Sequence, residues 1–386
     1  MIIAVLMKIR KELTRNTFRI KDATRQADFT IAAIIGLLLS LITLSVRAQA
    51  TSSPGIHARE VKVMIVTMFG PETKVWLDHL GPWDAINIPG LSPDYPDIHC
   101  NRQGICVMTT DMGHANAAAS LMALTFSNQF DLRQSYFLIT GIAGIDPMQG
   151  TLGSAAWAKY LVDFGAQWEI DSREKPKEWP SGFVAVGGKS PNELPRIMNH
   201  TEVFGLNPKL VDVAFALSKN VPLADSPEAR ATRAKYTYSP ANEPPKVLQC
   251  DTLSGDTWWA GNLIGDRARA WTKQLTQKKG TYCTTQEEDN ATYVALKRAA
   301  SAGRIDLLRV AVLRTGSDFE RPYQGQSAFD SLFSFESAGG FAPAVENLYR
   351  AGLPLVTNIS EYWQEWRGGV PSHLNPSSGE SHSDRK

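Results

Sequence analysis

Five short segments of this chain carry residue types that can bind or cleave a small polar ligand. The first is Asp111-Met112-Gly113-His114-Ala115-Asn116, where a strand-like run enters a glycine and then a small-residue helix. The N-terminus of such a helix can hold an anion or a polar group, and its alanines equally suit plain packing on a sheet. The second, Ile139-Thr140-Gly141-Ile142-Ala143-Gly144, reads as a tight strand-to-loop turn that exposes backbone N–H groups. The third, Gly255-Asp256-Thr257-Trp258-Trp259-Ala260-Gly261-Asn262, sets paired tryptophans in a polar glycine loop, a surface on which a flat ring can stack. The fourth, Glu287-Glu288-Asp289-Asn290, precedes a helix. Its adjacent carboxylates can grip vicinal hydroxyls through charge-assisted hydrogen bonds, although acids are also common in a first helical turn. The fifth is Arg314-Thr315-Gly316-Ser317-Asp318-Phe319-Glu320. Here a buried strand delivers Ser317 and Asp318 to a sheet edge, where an acid of raised pKa can protonate a leaving group.

Other catalytic signatures are missing. The chain has no glycine-rich dinucleotide fingerprint, no P-loop and no HExxH motif. Phe335-Glu336-Ser337-Ala338-Gly339 lacks the first glycine of a nucleophile elbow, which leaves serine hydrolysis unsupported. The spacings of Cys100, Cys106, Cys250 and Cys283 resemble no zinc site, so no metal is expected. Cys100 and Cys106 flank a turn between two strand-like stretches, and a bridge there leaves Cys250 to pair with Cys283. Sequence alone allows three connectivities.

These segments need a scaffold, and the pattern around them is α/β. Strands are predicted at Val61–Met68, Gly104–Asp111, Tyr136–Thr140, Val247–Leu253, Leu307–Thr315 and Leu353–Asn358, with a long one at Thr151–Phe164 broken at Gly153. Helices are predicted at Ala115–Phe126, Pro208–Lys219, Asn290–Ala302 and Ala342–Ala351. Alternation of this kind argues for a mostly parallel sheet covered by helices on both faces. Ligands of such sheets bind beyond the carboxyl ends of the strands, here the loops after Met68, Asp111, Thr140 and Thr315. Residues 165–245 are richer in proline and charge and read as an insertion covering the sheet, while 51–366 form one domain. Residues 367–386 are rich in Ser, Gly, Pro and His and read as a disordered tail.

Residues 1–50 read as an export signal. Seven Lys and Arg between Lys8 and Arg25 precede an uncharged apolar run from Phe29 to Val46, then Arg47 and the small-x-small site Ala48-Gln49-Ala50. Cleavage after Ala50 yields a secreted or periplasmic domain; the alternative is a single uncleaved N-terminal anchor, the one contact with a membrane that the sequence offers. The charge count follows this division. The whole chain has 40 Lys+Arg and 39 Asp+Glu, but residues 1–50 hold 8 and 3 of them, leaving 32 against 36 in the rest, a net −4. A mildly acidic domain gives no case for nucleic-acid binding.

In this order the five segments resemble the nucleoside phosphorylase and nucleosidase superfamily. More closely, the forms GIAGI, GDTWWAG and EDNAT, over roughly residues 60 to 365, resemble the purine nucleoside permease family, a divergent branch. The resemblance implies a three-layer α/β/α sandwich around a mixed, mostly parallel and partly barrel-like sheet. It also implies a purine nucleoside as ligand, no cofactor and a homo-oligomer. Asp318 matches the acid that protonates the purine as the glycosidic bond breaks, and Glu72 matches a water-activating glutamate. Glu288 matches the carboxylate that holds the ribose hydroxyls, with Asp289 sharing that role, and Trp258, beside Trp259, takes the place of an aromatic on the base. Gly113, His114, Thr140, Gly141, Arg314 and Ser317 fall in the matching motifs.

The departures bear on phosphate. Phosphorylases bring an Arg from just before the second glycine turn, but this chain has Phe137-Leu138-Ile139 there, and the first loop offers Lys74 at best. Glu287 stands where a methionine usually packs under the ribose. Two functions follow from the resemblance: nucleoside binding that supports uptake, or cleavage of the N-glycosidic bond, with hydrolysis favoured over phosphorolysis. A single apolar segment cannot itself form a transport pathway.

Overall fold

The computed structural model describes residues 58–374, so the predicted export segment and the end of the expected tail lie outside the described residues. Runs of β-branched and aliphatic residues build a mixed sheet of twelve strands. In chain order these are β1 (Val63–Thr67), β2 (Asp84–Asn87), β3 (Asp97–Cys100), β4 (Ile105–Thr109), β5 (Tyr136–Ile145) and β6 (Ala155–Trp157). The others are β7 (Tyr160–Asp163), β8 (Val203–Gly205), β9 (Val247–Gln249), β10 (Asp251–Ser254), β11 (Tyr282–Gln286) and β12 (Val310–Phe319). The helices that bear on the site are α1 (Gly70–Leu80), α2 (His114–Phe126), α3 (Pro208–Ser218), α4 (Asn262–Leu275), α5 (Asp289–Ser301) and α6 (Phe341–Glu361).

The hydrogen-bonded path runs β8–β7–β10–β11–β5–β1–β4–β3–β2. Its centre is parallel, with β1 between β4 and β5, and the β2–β3–β4 edge is antiparallel. Every residue of β1 and β4 is buried, as it must be where helices cover both faces. One helical group is α6 packed with α1 and α3, and the other is α2 packed on α5, which completes the three layers. β12 leaves the path, pairing parallel with β5 and antiparallel with β6. β6 runs on into β7, and β9 into β10 through Cys250. As a result β5, β12, β6–β7, β9–β10 and β11 form a closed hydrogen-bonded circuit, the barrel-like part of the sheet.

Several predicted elements change. Leu353–Asn358 is not a strand but the second half of α6, which continues through Gly352 and Pro354. Its apolar residues follow helical spacing, with Leu348, Ala351, Leu355, Val356 and Ile359 all buried. Gly352 is needed because Trp76 lies against it: a Cβ there would sit 2.8 Å from the indole. Gly141–Gly144 is not a turn; β5 continues through it to Ile145 because β12 pairs with it along its whole length. Leu307–Arg309 is a 3-10 turn, so the strand starts at Val310 and itself carries Ser317 and Asp318. Of the Thr151–Phe164 stretch only Ala155–Trp157 and Tyr160–Asp163 are strands: Leu152-Gly153 is a turn ahead of them and Ala158-Lys159 separates them, while Val247–Leu253 breaks at Cys250.

Part of the 165–245 segment is integral to the sheet, since β8 extends its edge and α3 packs on α6, whereas Gln167–Glu169 and Phe183–Ala185 form a separate two-stranded hairpin. The expected disorder from Arg367 also fails over the described stretch. Val370 and Leu374 pack on the core, and the carbonyl of Arg367 accepts a 2.8 Å hydrogen bond from buried Arg309. Disulfides join Cys100 to Cys106 across the β3–β4 hairpin and Cys250, at the β9–β10 junction, to Cys283 in β11.

Candidate functional site

The carboxyl ends of β1, β5, β10, β11 and β12 converge on a cavity of about 520 Å³. Each strand feeds a residue into its wall: Met68 after β1, Ile142 from β5, Gly255 after β10, Gln286 from β11 and Asp318 from β12. Helix α1 begins at this end of the sheet and places Glu72 in its first turn, while α5 begins just after Glu288. The volume suits a ligand of nucleoside size, since small-molecule sites span roughly 300–1,000 Å³.

Arg314 organises the floor. It is 1% exposed, and its guanidinium donates to Asp289 at 2.6 Å, to Glu288 and Gln286 at 3.2 Å, and to the carbonyl of Ile142 at 3.2 Å. A buried charge persists only when paired in this way. The adjacent strand must come close, and Gly141 permits it: a Cβ there would stand 2.5 Å from Arg314 Nη1 and 2.8 Å from Glu72 Oε1. Gln286 Oε1 also accepts the N–H groups of Glu288 and Asp289, at 2.6 and 2.8 Å, which fixes the start of α5.

Glu72 is fully buried and accepts the N–H of Met68 at 2.8 Å and that of Ile142 at 2.7 Å. Burial pushes its pKa up to about 7, against the pull of Arg314. Glu288 is raised too, by burial, although Arg314 and the N–H of Gly113, 3.1 Å from Oε1, favour its charged form. Half-buried Glu287 is pushed up to about 7 by burial and by its neighbours Glu288 and Asp256. Asp318 lies on β12 just past a register shift that leaves Ser317 as an extra residue, a bulge of the kind that re-aims side chains beside sites. The Ser317 hydroxyl donates to Asp318 Oδ1 at 2.8 Å, yet burial dominates and holds the Asp318 pKa above the usual carboxylate range.

The cavity wall also carries aromatic and apolar residues. Trp258 is 55% exposed and its ring centroid lies 4.7 Å from that of Phe335; Phe69 and Phe341 form a second pair 6.2 Å apart. Phe335, Phe341, Met112 and Glu336 were not foreseen as site residues. Phe335 and Glu336 belong to the very segment that fails as a nucleophile elbow, and no local motif marks them because they reach the cavity from a 3-10 turn distant in sequence from most of the wall.

The other sequence-derived residues divide. Trp259 differs from Trp258: it also lines the cavity, but it is buried in a core cluster beside Phe164. Asp289 faces Arg314 and is absent from the cavity wall, as are Thr140, His114, Gly113 and Gly141. Thr140 is buried beneath the floor, and the His114 N–H donates to Asp256 Oδ1 at 2.8 Å. These residues lie outside the cavity lining.

The sequence matches the profile of the family described as "Purine nucleoside permease (NUP)" over residues 60–371. The chain belongs to the purine nucleoside permease family. It is 40% identical to the "Probable purine nucleoside permease C285.05" of Schizosaccharomyces pombe over 345 residues, covering 86% of this chain and 98% of that one. It is 38% identical to the "Purine nucleoside permease" of Candida albicans over 323 residues, covering 82% of this chain and 79% of that one. Similar solved structures include a 5′-methylthioadenosine/S-adenosylhomocysteine nucleosidase from Colwellia psychrerythraea in complex with adenine, at 17% identity and a TM-score of 0.48, covering 81% of this chain and 98% of that one. Another is the nucleosidase of the same description from Neisseria meningitidis in complex with methylthio-immucillin-A, at 13% identity and a TM-score of 0.46, covering 76% and 98%. The permease-family match extends past Arg367, into residues that the structure shows packed on the core. Among the described residues, no helix is long and apolar enough to cross a membrane.

Proposed function

We propose that the cavity binds a purine nucleoside and hydrolyses its N-glycosidic bond. The observation that carries this reading is Asp318: a carboxyl buried at the wall of a nucleoside-sized cavity, its pKa raised by burial and its Oδ1 fixed by Ser317. Burial of this kind favours the protonated form of a carboxyl, the form that can donate to a leaving group. The purine stacks between Trp258 and the apolar wall, and Glu288 accepts from the ribose hydroxyls. The C1′–N9 bond breaks, its electron pair moves onto the purine, and Asp318 supplies the proton that neutralises the leaving base. A water attacks C1′ and gives up a proton to Glu72, whose pKa near 7 suits a general base. The products are free base and free ribose. No cofactor or metal enters these steps. Export of the domain, with cleavage near Ala50, is part of the same proposal, and its two disulfides are compatible with an oxidising compartment.

A second reading, nucleoside binding that supports uptake, is favoured by the names of the relatives at 38–40% identity. The two separate by chromatography of the full chain incubated with inosine, with and without phosphate. Hydrolysis yields hypoxanthine and ribose at equal rates under both conditions. Saturable binding with no base release leaves the uptake reading alone.

A further inference from the structure

Most carboxyls on the cavity wall are already held by the chain. Glu72 accepts the N–H groups of Met68 and Ile142, one on each oxygen. Glu288 accepts Gly113 on Oε1 at 3.1 Å and Arg314 on Oε2 at 3.2 Å. Asp318 takes the Ser317 hydroxyl on Oδ1. Glu287 stands apart. It lines the same wall, is half-buried, and among the described residues no donor reaches either of its oxygens. Two of the charges acting on it are repulsive, those of Glu288 and Asp256, and Arg314 opposes them. The internal bonding of the described residues therefore gives no reason for a carboxyl here, and an apolar side chain would remove two repulsions. Glu336 is unengaged as well, but it is exposed and belongs to the 3-10 turn that sets Phe335 against Trp258.

We infer that Glu287 recognises the sugar: its carboxyl accepts a hydrogen bond from the 2′- or 3′-hydroxyl of the bound nucleoside and makes the site prefer ribose to a sugar lacking that hydroxyl. The inference rests on the nucleoside reading above, which sets the ribose against Glu288, the next residue in the chain. A vicinal diol brings two O–H donors. Glu288 meets them with both oxygens already bonded, whereas Glu287 offers two that are free. The carboxyl serves in either protonation state. Ionised, both oxygens accept; protonated, the carbonyl oxygen still does. A site that pairs a substrate hydroxyl in this way rejects the analogue without it, because the acceptor loses water and gains no donor. Glu287 is only half-buried, so water reaches the unpaired oxygen and the preference stays moderate, about ten- to a hundredfold.

Titration calorimetry of the full chain at neutral pH with inosine, its 2′-deoxy and 3′-deoxy forms and 2′,3′-dideoxyinosine tests this. Wild type binds inosine at least tenfold more tightly than dideoxyinosine. Glu287→Met weakens inosine at least tenfold and leaves dideoxyinosine within twofold, at an unchanged or raised melting temperature. The monodeoxy compound whose affinity the substitution no longer lowers identifies the hydroxyl. Glu287→Gln keeps an acceptor oxygen and retains a preference between those of wild type and the Met variant. A Met variant that weakens inosine and dideoxyinosine alike, or neither, overturns the inference, as does a Gln variant no better than Met. In each of these cases the nucleoside reading stands. Failure of wild type to bind inosine at all overturns both.

Discussion

Arg314→Met removes the charge on which the floor of the cavity is assembled while keeping an unbranched side chain of similar reach. The wild-type guanidinium is 1% exposed and bonded to Asp289, Glu288, Gln286 and the Ile142 carbonyl. Breaking a buried pair by deleting one partner costs about 3–5 kcal/mol, because the orphaned carboxylates stay buried. Two carboxylates lose their counter-charge here, so the upper part of that range is expected at about pH 8. The loss has a predictable pH dependence. Without Arg314 the folded-state pKa values of Glu288 and Glu72 rise further above their unfolded values. Protonation then relieves the uncompensated charge, and the deficit shrinks as pH falls toward about 5. Urea denaturation followed by tryptophan fluorescence at the two pH values measures this directly. A loss below about 1 kcal/mol at pH 8, or an equal loss at both pH values, refutes the reasoning, since a buried pair worth so little is not what holds the floor.

Further expectations follow from the same geometry. Glu72 has a folded pKa of about 7 against an ordinary 4.5, so its stabilising contribution is complete below the unfolded value and is lost as pH rises through about 7. At about 1.4 kcal/mol per unit this amounts to roughly 3 kcal/mol, and Glu72→Gln flattens that part of the stability–pH curve; an unchanged slope contradicts the assignment. Gly141→Ala places a methyl 2.5 Å from Arg314 Nη1 and 2.8 Å from Glu72 Oε1. It lowers stability by about 1–3 kcal/mol and weakens nucleoside binding together with it, and a wild-type melting curve speaks against the close approach. Trp258→Ala removes a 55% exposed ring whose loss costs the fold little. Its effect is read as a nucleoside affinity about tenfold weaker at nearly unchanged Tm, in line with about 1–3 kcal/mol per stacked base.

How much of this was legible in the sequence depends on the range of the interaction involved. The β-branched run at Val63–Thr67 and the alanine-rich helix at His114–Phe126 are local signals, and both elements form where the pattern places them. The convergence of loops after Met68, Asp111 and the β5 and β12 strands follows from strand order alone. The glycines of Gly141–Gly144 misled, because they mark not a turn but close approaches along a continuous strand, of Arg314 and Glu72 at Gly141 and of Thr285 and Asp318 at Gly144. Gly352 and Pro354 misled in the same way within α6, where burial against Trp76 and a helical stripe override the breakers. Asp289 was readable as a carboxylate at a helix start, but its partner Arg314 lies 25 residues away, a pairing that no local spacing encodes. Phe335 was invisible for a related reason, since it meets Trp258 only in the folded chain.

The central claim is that Asp318, its pKa raised by burial, gives its proton to the departing base. Base release from inosine by wild-type protein and by Asp318→Asn, with inosine affinity measured on the same samples, tests it most directly. General acid catalysis contributes about 10²–10⁴-fold, so the variant should bind inosine within a few-fold of wild type while releasing hypoxanthine at least 100-fold more slowly. Equal release by the two proteins, or no release by the wild type despite binding, contradicts the account.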